Sequence, residues 1–335
     1  MTSVNTLAPS ILVTGGAGYI GSHTVLALEQ AGYQVVILDS LEYGHKELVE
    51  QHLNAKLVEG STADRPLLDH LFRQYNFVAV MHFAAYIAVG ESVTAPAEYY
   101  RNNVYGTLNL LQAMEAAGIK QFVFSSTCAI YGPPKTVPIP EEHPKNPISP
   151  YASSKLMVET MLQDFQKAYG LRSVCFRYFN AAGADPQGRL GEDHNPETHL
   201  IPLVLQTALG KRAHISIYGT DYATRDGTCI RDYIHVADLA EAHVKGVKYL
   251  LDGGETAFIN LGNGNGFTVR EVIETARKVT GHPIPAVECE RRHGDPPSLI
   301  GSSEHARQRL GWTPKYADLD TIIRHAWQWH QQRHG

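Results

Sequence analysis

The chain has 335 residues, of which 43% are hydrophobic and 19% charged, and its formal net charge is -5. That length can bury a substantial core with room for two subdomains. The composition excludes a disordered chain, and the acidic balance gives no general attraction to nucleic acid or to an anionic membrane.

In chain order, ILVT (11–14) predicts a strand and residues 20–30 a helix, with TGGAGYIGS (14–22) between them. Gly15, Gly18 and Gly21 fit GxxGxxG spacing, and Gly16, Gly18 and Gly21 also fit GxGxxG. Glycines there permit a tight turn and let a pyrophosphate approach the amides at a helix N-terminus. The second predicted strand, QVVILD (34–39), ends in Asp39. A carboxylate at that place accepts hydrogen bonds from ribose hydroxyls and repels a 2′-phosphate, so NAD is expected over NADP. A strand at 55–60, a helix at 66–75, a strand at 77–83, a helix at 96–117 and a strand at 121–126 continue the alternation. The expected fold class is α/β: a Rossmann-type doubly wound parallel sheet with a smaller C-terminal substrate-binding region.

The stretch 77–90 is too short to span a bilayer and is interrupted by His82. The first ten residues carry no basic segment ahead of an apolar run, so a cytoplasmic location is expected. Four cysteines without CxxC spacing predict free thiols, and no metal is expected despite 17 histidines.

A Pro-rich segment, 131–150, breaks the rhythm and leads into SPYASSK. Tyr151 and Lys155 are four apart, so on a helix they share a face and the ammonium is expected to lower the pKa of the phenol. An unperturbed phenol is ionised in roughly one molecule in a thousand at pH 7, a deficit of about 4 kcal/mol for a base. Among 17 tyrosines one such pair is a weak signal by itself. On the same helix Val158, Met161, Leu162 and Phe165 are expected to face the sheet, and 171–179 predicts the next strand. Beyond Asn180 the pattern loosens into loops at 181–198, a helix at 200–209, a strand near 214–219 and a last helix from about Leu319. Residues 1–180 are expected to form the dinucleotide-binding domain, including Tyr151 and Lys155. Residues 181–335 are expected to form the substrate region, with the chain able to cross back.

Together TGGAGYIGS, HFAA (82–85), VGES (89–92), NN (102–103), SSTCAIYG (125–132), SPYASSK, RYFNAAGA (177–184) and RDYIHV (231–236) resemble the UDP-glucose 4-epimerases, in the extended short-chain dehydrogenase/reductase group. The resemblance runs over nearly the whole chain. It implies reversible C4 epimerisation through a 4-keto sugar with bound NAD, Tyr151 as base, Lys155 on the nicotinamide ribose, and Thr127 beside the sugar 4-hydroxyl. It places Tyr19, Ile20, Asp39, Phe83, Asn102 and Phe179 against the cofactor. Asn180, Leu200, Ser216, Tyr218, Arg231, Arg292 and Asp295 fall at positions that hold the substrate's nucleotide, and a homodimer is implied, with helices near 96–117 and 151–169 pairing. Three positions depart from the bacterial pattern: Ser61 and Ile87 near the cofactor, and Leu299, which stands where a bulky or small residue governs the sugar pocket. The rival readings are a 4-epimerase of UDP-N-acetylglucosamine or a UDP-pentose, a nucleotide-sugar 4,6-dehydratase, and a non-catalytic NAD-binding regulator. A dehydratase needs an acid/base pair directly after Thr127, where this chain has Cys128 and Ala129.

Overall fold

The structure, a computed structural model, describes residues 8–292 and 295–335. Its contacts divide the chain into two compact units. Unit 1 is Met1–Ile130, Pro147–Phe176 and Ala240–Phe258, and unit 2 is Tyr131–Asn146, Arg177–Leu239 and Ile259–Gly335. The chain therefore leaves the first unit and returns to it twice.

The strands β1 (Ser10–Thr14), β2 (Gln34–Asp39), β3 (Lys56–Glu59), β4 (Phe77–His82) and β5 (Gln121–Thr127) lie wholly in unit 1, while β6 (Arg172–Tyr178) and β7 (Ala257–Leu261) begin in unit 1 and end in unit 2. They form one sheet in the order β7-β6-β5-β4-β1-β2-β3. The order reverses at β1, which pairs in parallel with both β2 and β4, Leu12 lying opposite Val36 and Val80. Such a switch point is where an open α/β sheet takes its ligand, at the carboxyl ends of the strands. All of β1 is buried, as expected for a central strand covered on both faces.

Helices α1 (Tyr19–Gln30), α2 (Lys46–His52), α3 (Arg65–Gln74), α4 (Gly106–Ala116) and α5 (Pro150–Tyr169) belong to unit 1. Leu68, Leu110, Val158 and Leu162 pack with Leu12, Val36 and Phe122 in one core, with Met161 and Phe165 partly buried against it. The face expected of α5 is the one it buries. The Ser149 Oγ accepts from the Ala152 amide at 3.2 Å, Pro150 opens the first turn, and Gly170 at φ +70° ends the helix. The single helix expected over 96–117 is instead interrupted. Pro96–Tyr99 runs into a π-helical segment, Tyr100–Tyr105, before α4 begins. Such segments widen the helix at functional sites, and this one carries Asn102 and Asn103.

In unit 2 the helices Leu200–Ala208, Val269–Thr280 and Leu319–His334 close around Ile201, Val204, Leu205, Ile273, Ile322 and Ile323. Three helices lie where only looser structure was expected: Val236–Leu251, Val269–Thr280 and Glu304–Leu310. The second carries a legible signal, a capping box of Thr268 and Glu271. The first follows directly on the strand Tyr233–His235 with no turn residue between them. All four cysteines are free thiols, Cys175 and Cys229 buried and Cys128 and Cys289 half-buried. Among the described residues no helix is long and apolar enough to cross a membrane.

Candidate active site

The turn between β1 and α1 gives its glycines different tasks. Gly15 has φ +74°, its amide donates to the Leu38 carbonyl at 2.9 Å, and a Cβ there would lie 2.5 Å from the Ala84 nitrogen. A Cβ on Gly21 would lie 2.0 Å from the Gly15 carbonyl oxygen, and one on Gly16 would lie 2.9 Å from the Ile37 side chain. Gly18 is not confined in this way, since its nearest neighbour would be 3.5 Å away. It is the N-cap of α1 and offers no side-chain cap. The first-turn amides of Tyr19 and Ile20 thus begin a helix whose dipole favours an anion.

At the end of β2, Asp39 receives the Ala17 amide on Oδ2 and the Leu41 amide on Oδ1, both at 2.9 Å. Burial pushes its pKa up while those two hydrogen bonds restrain it. Each oxygen keeps acceptor capacity for a ribose hydroxyl. Space over Gly18, an uncapped helix N-terminus and this oriented carboxylate fit a dinucleotide diphosphate and its adenosine ribose. Phe83 anchors its amide on the Thr14 carbonyl at 2.9 Å, and its ring centroid lies 4.8 Å from that of His243. Ser61 is half-buried, with its Oγ accepting from the Ala63 amide at 3.1 Å, and Ile87 is exposed. Phe179 belongs to unit 2, where its ring packs on Gly301 so closely that a Cβ there would fall 2.2 Å from it.

Thr127 is the last residue of β5, while Tyr151 and Lys155 occupy successive turns at the start of α5. The Thr127 hydroxyl hydrogen-bonds the Tyr151 phenol. Lys155 Nζ donates to the Ser125 carbonyl at 2.8 Å and sits 5.0 Å from the Phe124 ring centroid and 6.0 Å from that of Tyr151. Burial pushes the Lys155 ammonium down to about 7 and the Tyr151 phenol up to about 12. This corrects the expectation that Lys155 lowers the phenol. Both groups have lost water, the ammonium spends its proton on a backbone carbonyl, and the group that favours the phenolate is Thr127.

Several supports escaped sequence reasoning. His82 hydrogen-bonds Thr14 Oγ1 through Nδ1 at 2.6 Å and Thr107 Oγ1 through Nε2 at 2.8 Å. Burial and then the Lys155 charge push it down to about 3, so it is a neutral strut rather than an acid. Asn103, next to the expected Asn102, accepts the Tyr86 amide at 2.8 Å and donates to the Ser154 Oγ at 3.1 Å, tying the segment after β4 to α5. Asn102 donates to Asn103 Oδ1 at 3.1 Å. The NN dipeptide was the available signal, and the structural share of the work falls to its second member.

Lys155 yields a pH prediction for the cofactor-free protein. Burial pushes its pKa down to about 7 in the folded chain against the ordinary 10.5, so between those values the unfolded chain binds the extra proton and stability rises with pH. Wild type is expected to gain roughly 2 kcal/mol on Lys155→Met between pH 7 and 9. Parallel denaturant curves at the two pH values check this, and a constant difference would mean that the ammonium keeps its ordinary pKa.

In unit 2, Arg231 is paired with Asp295, and its guanidinium also donates to the Pro296 carbonyl at 3.0 Å. Leu299 lies opposite Arg231 in the pair of short strands Ile230–Arg231 and Ser298–Leu299, half-buried. Asn180 donates through its amide side chain to the Asp232 carbonyl at 2.9 Å. The Arg292 guanidinium stands 4.1 Å from the Tyr218 ring centroid. Asn180, Arg231, Asp295 and Leu299 are thus drawn together, with Tyr218 and Arg292 as a second pair. Leu200 begins the helix Leu200–Ala208, and Ser216 lies on the strand Ile215–Tyr218, with no hydrogen bond described between either and that group. The organiser is a residue not anticipated, Asp232. Its buried carboxylate receives the amides of Asn263, Gly264 and Gly301, and burial pushes it up to about 6.

A family profile described as GDP-mannose 4,6 dehydratase matches residues 12–325. A UDP-glucose 4-epimerase of Halalkalibacterium halodurans is 55% identical over 97% of each chain. One from Rhizobium meliloti is 53% identical, covering 97% of this chain and 98% of its own. The crystal structure of UDP-glucose 4-epimerase from Brucella ovis in complex with NAD superposes with a TM-score of 0.93 at 48% identity, covering 96% of this chain and 98% of that one. Directly after Thr127 this chain has Cys128 and Ala129, neither of them a carboxylic acid. With a glycine turn, a threonine–tyrosine–lysine centre and relatives matched end to end, the chain belongs to the UDP-glucose 4-epimerase family of the extended short-chain dehydrogenases/reductases.

Proposed function

We propose that this chain interconverts UDP-glucose and UDP-galactose by inverting C4 through a transient 4-keto sugar. NAD, held at the β1–α1 turn, supplies the acceptor for the C4 hydride and the donor that returns it. Tyr151 takes the 4-hydroxyl proton as the carbonyl forms, the 4-keto sugar then turns to present its other face, and Tyr151 returns the proton to O4 as hydride comes back to C4, with Thr127 steadying the phenolate through their hydrogen bond. Lys155 orients the nicotinamide ribose. Because the cycle has no net redox change, NAD acts as a prosthetic group.

The observation that carries this reading is the Thr127–Tyr151 hydrogen bond followed by a segment with no acid/base pair. The Ala129 amide donates to Thr127 Oγ1 at 3.2 Å as the chain enters the short helix Cys128–Tyr131. The 4-keto sugar therefore meets no side chain after Thr127 able to take the C5 proton and expel the 6-hydroxyl. Incubating the protein with UDP-galactose and resolving the products tests it. UDP-glucose is expected, a 4-keto-6-deoxy sugar would make the chain a dehydratase, and no turnover of any UDP-sugar would make it a binding protein.

Within the same proposal residues 1–180 bind NAD and hold the reacting centre, and residues 181–335 mainly hold the UDP-sugar. Asn180, Leu200, Ser216, Tyr218, Arg231, Arg292 and Asp295 are assigned to the nucleotide, guanidinium forks being suited to diphosphate oxygens in an acidic protein. The cofactor assignments rest on Gly15, Gly18, Gly21, Tyr19, Ile20, Asp39, Phe83, Asn102 and Phe179. Asp39 is expected to exclude NADP, since a 2′-phosphate would face its carboxylate. Chromatography of the nucleotide released on denaturation should find NAD, and predominant NADP would remove Asp39 from the ribose. A cytoplasmic homodimer completes the proposal, and sedimentation velocity at micromolar concentration tests the dimer.

Leu299 is proposed to set the room for a C2 substituent. A larger residue excludes an N-acetyl group and a smaller one admits it, and a loosened pocket shifts discrimination by about 1–3 kcal/mol. Leu299→Tyr should depress activity on UDP-N-acetylglucosamine more than on UDP-glucose, and Leu299→Ser should favour the acetylated sugar. An unchanged ratio of kcat/KM in all three proteins would remove Leu299 from the pocket.

A further inference from the structure

The loop before the helix Leu200–Ala208 brings together four ligating side chains that the epimerase chemistry does not use. Glu192, His194, Glu197 and His199 each present one donor atom, all within 4.8 Å of one another. His199 Nδ1 lies 2.8 Å from Glu192 Oε1 and 3.2 Å from Glu197 Oε1, while His194 Nδ1 lies 3.3 Å from Glu192 Oε1 and 3.8 Å from Glu197 Oε2. Both carboxylate side chains are 4% exposed, while those of His194 and His199 are 18% and 38% exposed, so the carboxylates are built into the fold and the imidazoles close over them from the rim.

An ion-pair network accounts for the 2.8 Å contact of His199 with Glu192 and, through a shared Nδ1 proton, for its 3.2 Å contact with Glu197, but the His194 contacts of 3.3 and 3.8 Å are long for the hydrogen bonds expected of buried charged partners. A tetrahedral zinc with bonds of about 2.0–2.2 Å to nitrogen and oxygen has donor–donor edges of roughly 3.3–3.5 Å. The separations that use a single oxygen of each carboxylate, 2.8, 3.2 and 3.3 Å, lie near that edge, and the four donor atoms all fall within 4.8 Å of one another. The surroundings also hold the ligands in place. Glu197 Oε1 accepts the Thr198 and His199 amides at 2.7 and 2.8 Å, fixing the carboxylate with Oε2 turned to His194. The Trp329 indole donates to the Glu192 carbonyl at 3.2 Å, and Arg333 bonds Asp193 at 2.9 Å, so the helix Leu319–His334 braces the loop. On that helix His330 is buried, has an Nδ1 with no hydrogen-bond partner, and lies within electrostatic reach of Glu192 and Glu197.

We propose that Glu192, His194, Glu197 and His199 form a structural divalent-metal site of zinc type, in the pattern Glu-x-His-x-x-Glu-x-His. The sequence gives no sign of it by the usual rules, because no CxxC or HExxH motif is present and the carboxylates supply half the ligands. The metal replaces protons as the bridge between two carboxylates and two imidazoles and closes an eight-residue loop. His199 is the N-cap of the helix Leu200–Ala208 and makes no side-chain cap hydrogen bond, so the site would set where that helix starts. Leu200 follows directly, and on the proposed reading of Leu200 as a nucleotide contact, the metal positions that contact without touching the reacting centre.

The test uses the full chain, purified with its cofactor and without a metal-affinity tag. Elemental analysis is expected to find about one zinc per chain. Removal with a chelator should lower Tm by at least about 5 °C, and zinc chloride should restore both. His199→Ala and Glu192→Gln should lose the zinc and the response to chelator, whereas His305→Ala, in the separate Glu141–Glu142–His305 cluster, should keep both. If either loop variant fails to fold, the chelation and reloading of wild type decide the matter alone. Wild type that takes up less than about a tenth of an equivalent from zinc chloride, or loop variants that bind as much zinc as wild type, would overturn the site. Iron or manganese at full stoichiometry in place of zinc would overturn the metal assignment. These readouts are independent of the epimerase assay, so the failure of either reading leaves the other standing.

Discussion

Tyr151→Phe is expected to lower kcat on UDP-galactose by at least about a hundredfold, the lower end of a general base's contribution, with folding and NAD content unchanged. The ring stays, so the packing of α5 is kept and only the hydroxyl and its bond to Thr127 are lost. The phenol is pushed up to about 12, which leaves only about one molecule in a hundred thousand ionised at pH 7 if no other charge acts on it. The hydrogen bond from Thr127 is consequently worth more here than it would be in water. Thr127→Val should cost about ten- to a hundredfold in kcat, as expected for a hydrogen bond of about 1.5–3 kcal/mol to a charged partner. Steady-state kinetics with the cofactor content measured on the same samples separates these effects from cofactor loss. Near-wild-type turnover in Tyr151→Phe would move the base to another residue.

Much of unit 1 was legible because its signals are local. A glycine turn between a strand and a helix, an acid at the end of the next strand, and apolar positions at 3.6-residue spacing on α5 each need only a few neighbouring residues. The interruption at Tyr100–Tyr105 was not legible, since a π-helical segment keeps helical propensities throughout. The correction at Lys155 has a different origin. Spacing puts the ammonium on the same face as Tyr151, but whether it acts on the phenol or on the Ser125 carbonyl depends on a strand 30 residues away. The same holds in unit 2, where Asp232 gathers amides from Asn263, Gly264 and Gly301. No sequence window contains that hub. Strands of two residues, such as Ile230–Arg231 and Ser298–Leu299, have no periodicity to read and exist only because they pair. The cluster at 192–199 was local and was still missed, because the spacing rules for metals are drawn from cysteine and histidine pairs.

The glycine turn yields the second large effect, because two glycines three residues apart, Gly18 and Gly21, should fail in opposite ways. In Gly21→Ala the new methyl would meet the Gly15 carbonyl oxygen at 2.0 Å, which is backbone and cannot swing aside. Helix α1 must then move off the end of β1, and a fully buried strand beside it makes that costly. Overpacking of this kind typically costs about 1–3 kcal/mol, so Tm should fall by several degrees and NAD should be lost with it. Gly18→Ala brings no such clash, since the nearest atom would be 3.5 Å away, and loss of an N-cap glycine costs roughly a few tenths of a kcal/mol to about 1 kcal/mol. Its methyl, however, stands over the first turn of α1, where the diphosphate must come close to the amides of Tyr19 and Ile20. The expected result is a cofactor-free Tm close to that of cofactor-free wild type, with NAD affinity down at least about tenfold, since displacing an anion from a helix N-terminus and its amides forfeits more than about 1.4 kcal/mol. Calorimetric titration of NAD into both stripped variants, alongside their melting curves, distinguishes the two modes of failure. Undiminished NAD affinity in Gly18→Ala would place the diphosphate away from the helix N-terminus and break the argument that this glycine is kept open for the ligand rather than for the fold.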